Sequence, residues 1–427
     1  MRFINSLAFA KEQDAADPLA GLRKRFHFPL KNGKTVLYFC GNSLGLQPVG
    51  VASAIEQELK DWSMLGVEGH LMAKYPWVEA HKTLIAPTAK LAGALPHEIA
   101  VMNSLTVNLH LLLVSFYRPT KKRFKIICED KAFSSDAYAL ASQVAFHGFD
   151  PAEAIIELKP REGEYNIRTD DILSVIGKNA NELALVMMGG VNYYTGQAFD
   201  MESITDAAHK AGAVAGFDLA HGIGNLNLQL HAWNVDFACW CSYKYLNAGP
   251  GAVGGIFVHE RFANDKALPR FAGWWGHEQA SRFKMEKQFR SVSGAAGWAL
   301  SNEPVFSMAA YRASMDIFEQ AGIAPLCSKR DKLTSYLEFV VDEICKEKYS
   351  AESKDKMQIL TPRDLSQRGC QISLLVGKDG KKIFEALSNE GVIADWREPA
   401  VIRLAPVPLY NSFEDVYWFG EVLRKSF

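Results

Sequence analysis

The sequence has no excess of charge of either sign and no long apolar run. Its 427 residues contain 47 Lys and Arg against 48 Asp and Glu, so net charge gives no reason to expect nucleic acid or an anionic membrane as the main partner. No apolar stretch approaches the roughly 18 to 20 residues that cross a membrane. The apolar N-terminal run is soon followed by Lys11 and Glu12, so we expect no signal peptide. These absences favour a small-molecule ligand.

Cysteine pairs with the spacing of zinc ligands are also missing. The seven cysteines form no pair of pairs, and we expect no metal site. Cys239 and Cys241 flank Trp240 in a strand-like run, where their side chains share one face and pack in the core. Unpaired, mostly buried thiols are typical of a reducing compartment, so the sequence predicts a cytoplasmic protein.

Short β-rich runs alternate with helix-like stretches between about residues 100 and 260. This pattern predicts an α/β fold with a doubly wound, mainly parallel sheet. In such sheets, ligands bind outside the carboxyl ends of the strands. The clearest strands are 125–129, 154–158, 183–188 and 213–218, followed by 236–241 and 255–258 on either side of a glycine-rich loop.

The rest of the chain predicts a second, smaller domain. Long amphipathic helices are expected around 305–320 and 329–346, followed by a strand at 370–375 and a final helix. We therefore divide the chain into a large domain at 61–303 and a small α+β domain at 304–427. Residues 1–60 are expected to pack on the small domain or on a partner subunit.

The most informative motif is Lys244 in the segment SYKYLNAGPG (242–251). An isolated lysine on a glycine-rich turn is usually a surface residue. Here Tyr243 and Tyr245 surround it with aromatic rings, which would desolvate the amine and make it nucleophilic, and the glycines allow close backbone approach. An aldehyde cofactor such as pyridoxal phosphate needs one such amine to hold it as a Schiff base.

Pyridoxal phosphate also needs a carboxylate that keeps its ring nitrogen protonated. Asp218 ends the apolar run 213–217, upstream of Lys244. An aspartate after a strand is often a helix cap, but the downstream lysine favours the role at the ring nitrogen. His221 has two interpretations of equal weight, a buried core histidine or a neighbour of the cofactor.

Two helix starts are candidate sites for the phosphate and the ring of the cofactor. Residues 103–106 include Leu105 and Thr106 and begin a helix-like stretch, where ordinary Ser or Thr capping and phosphate binding are compatible. Residues 133–136 place Phe133 before Ser134, Ser135 and Asp136. The aromatic face would stack on the ring, although Ser-Ser-Asp before a helix is common capping chemistry.

Arg403 interrupts the apolar strand-like run 401–406. A guanidinium there either reaches solvent or meets an anion. Because the fork of an arginine fits a carboxylate with two hydrogen bonds, we interpret Arg403 as the group that binds the α-carboxylate of an amino-acid substrate.

Taken in order, several blocks of this sequence resemble the kynureninase family, and the resemblance covers nearly the whole chain. The family's members are pyridoxal phosphate enzymes that cleave the side chain of kynurenines. The most specific blocks are 38–48 (YFCGNSLGLQP), 217–221 (FDLAH), 239–249 (CWCSYKYLNAG), 273–278 (GWWGHE) and 403–413 (RLAPVPLYNSF).

The resemblance implies a fold type I homodimer with its active site between subunits. It implies that Lys244 is the Schiff-base lysine, Asp218 the partner of the ring nitrogen, and Arg403 the carboxylate clamp. Where the family often has a hydroxyl residue, this chain has Gly189, which we leave out of the site. The other implied cofactor neighbours are Leu105, Thr106, Phe133, Ser134, Ser135, Asp136, His221 and Tyr243, with Trp274 and Asn302 from the partner subunit, while His70 and Asn302 would contact the substrate ring.

The resemblance further implies hydrolytic cleavage of the bond between Cβ and Cγ of kynurenine or 3-hydroxykynurenine. The products are an anthranilate and L-alanine, in tryptophan degradation and NAD biosynthesis. Tyr243 is the candidate for moving protons, together with the cofactor phosphate. The 3-hydroxy substrate is the expected preference. Another fold type I enzyme, such as an aminotransferase or a desulfurase, and a non-catalytic protein that has kept the fold remain the alternatives.

Overall fold

The computed structural model describes residues 2–350, 353 and 356–427. The α-helices of these residues are α1 (Leu7–Ala15), α2 (Val51–Leu65), α3 (Gly69–Met72), α4 (Lys82–Ala92), α5 (Leu105–Phe116), α6 (Ser134–Phe146), α7 (Pro151–Ala154), α8 (Thr169–Lys178), α9 (Met201–Lys210), α10 (Val305–Ala321), α11 (Ile323–Lys348), α12 (Gly380–Asn389) and α13 (Phe413–Lys425). The strands are β1 (Leu30–Lys31), β2 (Lys34–Thr35), β3 (Leu37–Tyr38), β4 (Ile99–Val101), β5 (Lys125–Glu129), β6 (Ile155–Leu158), β7 (Leu183–Gly189), β8 (Val214–Asp218), β9 (Phe237–Trp240), β10 (Gly255–Val258), β11 (Gln358–Ile359), β12 (Ile372–Leu375), β13 (Val392–Ile393), β14 (Asp395–Arg397) and β15 (Val401–Leu404).

A seven-stranded sheet in the order β4-β10-β9-β8-β7-β5-β6 forms the centre of the large domain. The strands from β9 to β6 are parallel, whereas β10 runs antiparallel to both β9 and β4. The fold class predicted from the sequence is therefore confirmed. Gly189 pairs with Asp218 across β7 and β8, and Glu129 ends β5. The carboxyl ends of these strands thus meet at one edge of the sheet.

Both faces of the sheet are buried, because successive side chains in a strand point to opposite sides. On one face, Phe217 and Trp240 join a core with residues of α4, α8, α9 and α10. On the other face, Phe237 and Cys239 join a core with residues of α5 and α6. This double coverage explains why the central strands consist almost entirely of apolar residues.

The small domain is built on a four-stranded sheet in the order β11-β12-β15-β14. Residues of α11, α12 and α13 cover this sheet in a third apolar cluster. The N-terminal helix α1 places Phe9 in the same cluster, and β3 pairs in parallel with β13. Residues near the N-terminus thus pack on the small domain.

The observed elements differ from the sequence-based ones mainly at their ends. Residue 154 belongs to the short helix α7, because Pro151 occupies its first turn and the side chain of Asp150 caps it. Helix α10 places Met308 and Tyr311 in the core of the large sheet, although the sequence-based boundary at 304 assigns it to the small domain. That boundary stays a prediction. No helix among the described residues is long and apolar enough to span a membrane.

Candidate active site

A cavity of about 190 Å³ lies at the carboxyl ends of β5, β7 and β8. This is the edge where open α/β sheets bind their ligands. Nine of the residues predicted from the sequence line this cavity. Five further residues line it as well: the sequence analysis did not identify Glu129, Val191, Tyr193 and Ala220, and it left Gly189 out of the site. The lining residues are Leu105, Thr106, Glu129, Phe133, Ser135, Asp136, Gly189, Val191, Tyr193, Asp218, Ala220, His221, Tyr243 and Lys244.

Lys244 reaches the cavity from the loop that follows β9. Its Nζ lies 3.1 Å from His221 Nε2, and it faces the rings of Phe133 at 5.8 Å and Tyr243 at 5.9 Å. The loop turns sharply because Asn247 and Gly249 adopt positive φ angles of 51° and 96°. The only primary amine on the cavity wall of the described residues is therefore held among aromatic groups.

His221 is neutral in this setting. Burial, followed by the charge of Lys244, lowers the pKa of its imidazole well below the ordinary value. The Nε2 atom therefore accepts a hydrogen bond from Lys244, and the Nδ1 atom is buried without a partner among the described residues.

Asp218 is 8% exposed, and its Oδ1 accepts a hydrogen bond from the amide of Ala220 at 2.6 Å. Its carboxyl group also shares a hydrogen bond with the carboxyl group of Asp136. Burial raises the pKa of both groups, and the negative charge of Asp218 raises that of Asp136 further. A buried carboxyl pair in which one member is protonated and the other ionised keeps one negative charge and can bind a cationic group.

Glu129 is a third buried carboxyl beside this pair. Its two oxygens accept hydrogen bonds from the amide of Gly189 at 3.1 and 3.2 Å. Burial raises the pKa of Glu129 to about 7. A Cβ atom at position 189 would lie 2.9 Å from Glu129 Oε1, so the glycine gives this carboxyl its space. The position of Glu129 at the end of a predicted strand was the sequence signal that could have identified it.

The starts of α5 and α6 point at the cavity with open backbone donors. The side chains of Ser104 and Phe133, which precede these helices, make no capping hydrogen bond. The capping role that the sequence left open for Ser104 is therefore not observed. Free N–H groups at a helix start favour an anion such as a phosphate.

Arg403 lies beside the cavity and is not part of its wall. Its side chain is 1% exposed, and Nη1 donates a hydrogen bond to the carbonyl of the lining residue Tyr193 at 2.7 Å. Its opposite side forms an ion pair with Asp395, with 2.7 Å between Nη2 and Oδ2. The guanidinium is thus held between the two domains.

Four other residues selected from the sequence are not on the cavity wall of this chain. Ser134, His70 and Asn302 have exposed side chains, and Trp274 is 46% exposed. The side chain of His70 bonds to the carbonyl of Val67 and contacts the ring of Trp77. The roles given to these residues stay predictions.

The residues around the cavity fit pyridoxal phosphate. The amine matches the aldehyde of this molecule, and the buried carboxyl pair matches its ring nitrogen. A phenylalanine ring that is 43% exposed matches the face of the cofactor ring, and an uncapped helix start matches the phosphate. His221, whose Nε2 lies 3.1 Å from Lys244 Nζ, also lines the cavity beside the amine. The fit depends on the donor set rather than on any single residue.

The fold and this donor set define the class of protein. A family model described as aminotransferase class V matches residues 38–361, and the chain has the fold type I architecture of that class. Among solved structures, the cysteine desulfurase from Thermococcus onnurineus NA1 superposes with a TM-score of 0.74 at 18% identity, covering 95% of this chain and 97% of that one. At this level of identity, the similarity establishes the fold alone.

More specific matches identify the family. A model described as the kynureninase C-terminal domain matches residues 326–423. The kynureninase of Flavobacterium psychrophilum is 55% identical over 426 residues, covering 100% of this chain and 99% of the relative. The kynureninase of Nematostella vectensis is 48% identical over 444 residues, covering 99% and 94%. The chain belongs to the kynureninase family.

Proposed function

We propose that the protein is a pyridoxal phosphate-dependent hydrolase that cleaves the bond between Cβ and Cγ of L-kynurenine, 3-hydroxy-L-kynurenine or both. The products are anthranilate or 3-hydroxyanthranilate and L-alanine, as in tryptophan degradation and NAD biosynthesis. Full-length identity of 55% to a protein named kynureninase supports this proposal. The observation that carries it is the cavity in which Lys244 and Asp218 line the same site.

Lys244 and Asp218 would act at opposite ends of the cofactor. When bound, pyridoxal phosphate supplies the electron-poor ring that accepts electrons released at the substrate α-carbon. Asp218 would hold the proton on the ring nitrogen of a bound cofactor, and its burial would strengthen that interaction. Lys244 would take the proton from the α-carbon and could return it. Its amine is held by the neutral His221, whose Nε2 lies 3.1 Å from Nζ.

Tyr243 is our candidate for the proton steps of bond cleavage. Burial raises the pKa of its phenol above the ordinary value, so the group stays protonated near neutral pH and can donate. The oxygen of a water molecule adds to the substrate γ-carbon. When the Cβ–Cγ bond then breaks, this carbon becomes the carboxyl carbon of the anthranilate product. The electron pair of that bond stays on Cβ, which takes up a proton to give the methyl group of alanine.

Substrate binding would divide between this chain and a partner copy. Arg403 would hold the α-carboxylate next to Tyr193. We propose that His70 and Asn302 of a second copy contact the substrate ring and that Trp274 of that copy reaches the phosphate. Their exposed side chains support this role, because none of them contributes to the cavity of its own chain.

A homodimer is supported by exposed apolar side chains on α2, on α3 and on the turn between them. Soluble monomers rarely expose large contiguous apolar patches, so such surfaces usually mark interfaces. His70 lies on α3, which would carry it towards the partner. We also propose a cytoplasmic location, since all seven cysteines are free. The exposed apolar residues are Leu59 (48%), Trp62 (58%), Met64 (72%), Val67 (76%), Leu71 (68%) and Met72 (67%).

The decisive experiment is a product assay on the cofactor-loaded protein with kynurenine and 3-hydroxykynurenine in separate reactions. We expect anthranilate fluorescence and equimolar L-alanine, with the higher rate on the 3-hydroxy substrate. Cofactor binding without alanine release from either substrate would contradict the proposal and point to an aminotransferase. A desulfurase is less favoured, because no cysteine lines the cavity of the described residues.

A further inference from the structure

Asp395 forms a two-point ion pair with Arg403 across two antiparallel strands. The two residues are direct partners in the register of β14 and β15. Asp395 Oδ1 accepts from Nε at 3.2 Å and Oδ2 lies 2.7 Å from Nη2. Burial is the largest single effect on Asp395 and raises its pKa, but the hydrogen bond and charge of Arg403, the hydrogen bond from Ser43 and the charge of Arg397 together outweigh it, and the pKa is lowered overall. The carboxyl group is therefore ionised near neutral pH.

The remaining donors of Arg403 are almost all assigned. A guanidinium has five N–H groups. Two of them point to the carboxylate of Asp395, and one donates to the carbonyl of Tyr193. One Nη2 hydrogen is donated to Ser43 Oγ at 3.1 Å. One Nη1 hydrogen has no acceptor among the described residues. A substrate carboxylate can use this hydrogen and replace Ser43, whose hydroxyl keeps its own hydrogen bond to Asp395.

Arg397 supplies the positive charge that the pair of Arg403 and Asp395 lacks. A pair made of Arg403 and Asp395 alone would be neutral and would attract a second carboxylate only weakly. Arg397 lies two residues after Asp395 on β14, so its side chain is on the same face. Its Nε is 2.9 Å from Asp395 Oδ1, and its Nη2 donates to Oδ2 at 3.2 Å. Two guanidiniums and one carboxylate leave a net charge of one positive unit.

We propose that Asp395 and Arg397 are positioning residues for the carboxylate clamp. Asp395 fixes the orientation of Arg403, and Arg397 neutralises Asp395 so that the fixed guanidinium keeps its attraction for the α-carboxylate of the substrate. The inference rests on the proposed function for its substrate, an α-amino acid. It adds a specificity determinant that selects ligands with a carboxylate over simple amines. Arg397 acts through Asp395 and needs no contact with the substrate.

The test compares Arg397→Gln with Arg397→Lys in the cofactor-loaded protein. The probes are L-alanine and ethylamine, which is alanine without its carboxylate, followed by the visible absorbance of the cofactor. We expect Arg397→Gln to weaken L-alanine binding about tenfold, because one partly exposed charge is lost. Ethylamine binding should change less than about twofold. Arg397→Lys should restore L-alanine binding to within about threefold.

Kinetics separate a positioning role from general damage. With kynurenine, Arg397→Gln should raise KM about tenfold and lower kcat much less. A matched control is Arg363→Gln, since Arg363 is also a partly exposed arginine paired with an acidic residue of the same domain, Asp342. That variant should resemble the wild type with both probes.

Two results would overturn the inference. One is unchanged L-alanine binding in Arg397→Gln, and the other is an equal loss for L-alanine and ethylamine, which would mean that the site as a whole is damaged. Failure of the wild type to cleave kynurenine would refute the proposed function instead. The comparison of L-alanine with ethylamine would still decide the role of Arg397, because it needs only cofactor and amino acid.

Discussion

Replacing Glu129 by glutamine should remove much of the pH dependence of stability that the cavity imposes on the cofactor-free protein. The pKa of Glu129 is raised from 4.5 to about 7 by burial. A raised pKa in the folded state stabilises that state at low pH, and this stabilisation is lost as pH rises through about 7. For one such group, linkage gives a loss of about 2 kcal/mol in the free energy of unfolding between pH 5.5 and pH 8.

The glutamine variant lacks this titration but keeps an oxygen that can accept the amide hydrogen of Gly189. Its free energy of unfolding should therefore fall by about 2 kcal/mol less than that of the wild type over the same pH interval. Asp136 and Asp218 titrate in both proteins, so their contribution largely cancels in the comparison. The variant with the uncharged side chain should thus have the flatter profile.

The assay is urea unfolding of both cofactor-free proteins at the two pH values, followed by tryptophan fluorescence. Cofactor must be removed because a ligand that binds only the folded state would add its own stabilisation. Glu157→Gln is the matched control, since Glu157 is an exposed glutamate on the neighbouring strand β6. Its profile should follow that of the wild type. Equal pH-dependent losses in Glu129→Gln and the wild type would refute the reasoning.

The remaining predictions concern the chemistry, the dimer and the core. Lys244→Ala should no longer become covalently labelled by pyridoxal phosphate and borohydride, and labelling at the wild-type level would refute its role. Tyr243→Phe should bind cofactor normally but turn over at least about 100-fold more slowly; unchanged turnover would exclude the phenol. Mixing Lys244→Ala with Trp274→Ala should restore about a quarter of wild-type activity if subunits share active sites, whereas no recovery would contradict the shared site. Gly216→Ala should lower the free energy of unfolding by more than about 3 kcal/mol, since the new Cβ would lie 2.1 Å from a phenylalanine ring. Gly177→Ala, with open space around it, should leave stability unchanged or raise it, and equal urea midpoints of the two variants would contradict this.

Local sequence was enough to find the residues with the strongest chemical signature. Lys244 and Asp218 each follow an apolar strand-like run, and strand ends in an α/β sheet converge on one edge. Their meeting at one cavity therefore follows from the order of elements along the chain. Arg403 was found for a similar reason, since a charge inside an apolar run must have a partner.

Contacts between residues that are distant in sequence could not be predicted in the same way. Glu129 and Gly189 meet only because β5 and β7 are adjacent in the sheet, and the missing side chain of the glycine makes room for the carboxyl group. Likewise, no local pattern shows that Arg397 supports Arg403, because the two interact through the register of β14 and β15. Pairing of strands depends on packing of the whole core, which a local motif does not encode.

The amino-acid sequence by itself determined the class of fold, the family, and the lysine, aspartate and arginine on which the proposed chemistry depends. These are properties of short segments, in which composition and spacing already limit the possible chemistry. The tertiary structure alone decided which buried carboxyls lie close enough to shift each other's pKa, which donors of Arg403 are already used, and which of the residues chosen from the sequence lie outside the cavity of their own chain. Protonation and donor sharing depend on burial and on distances of a few ångströms between side chains, and these are set only when separate strands pack together.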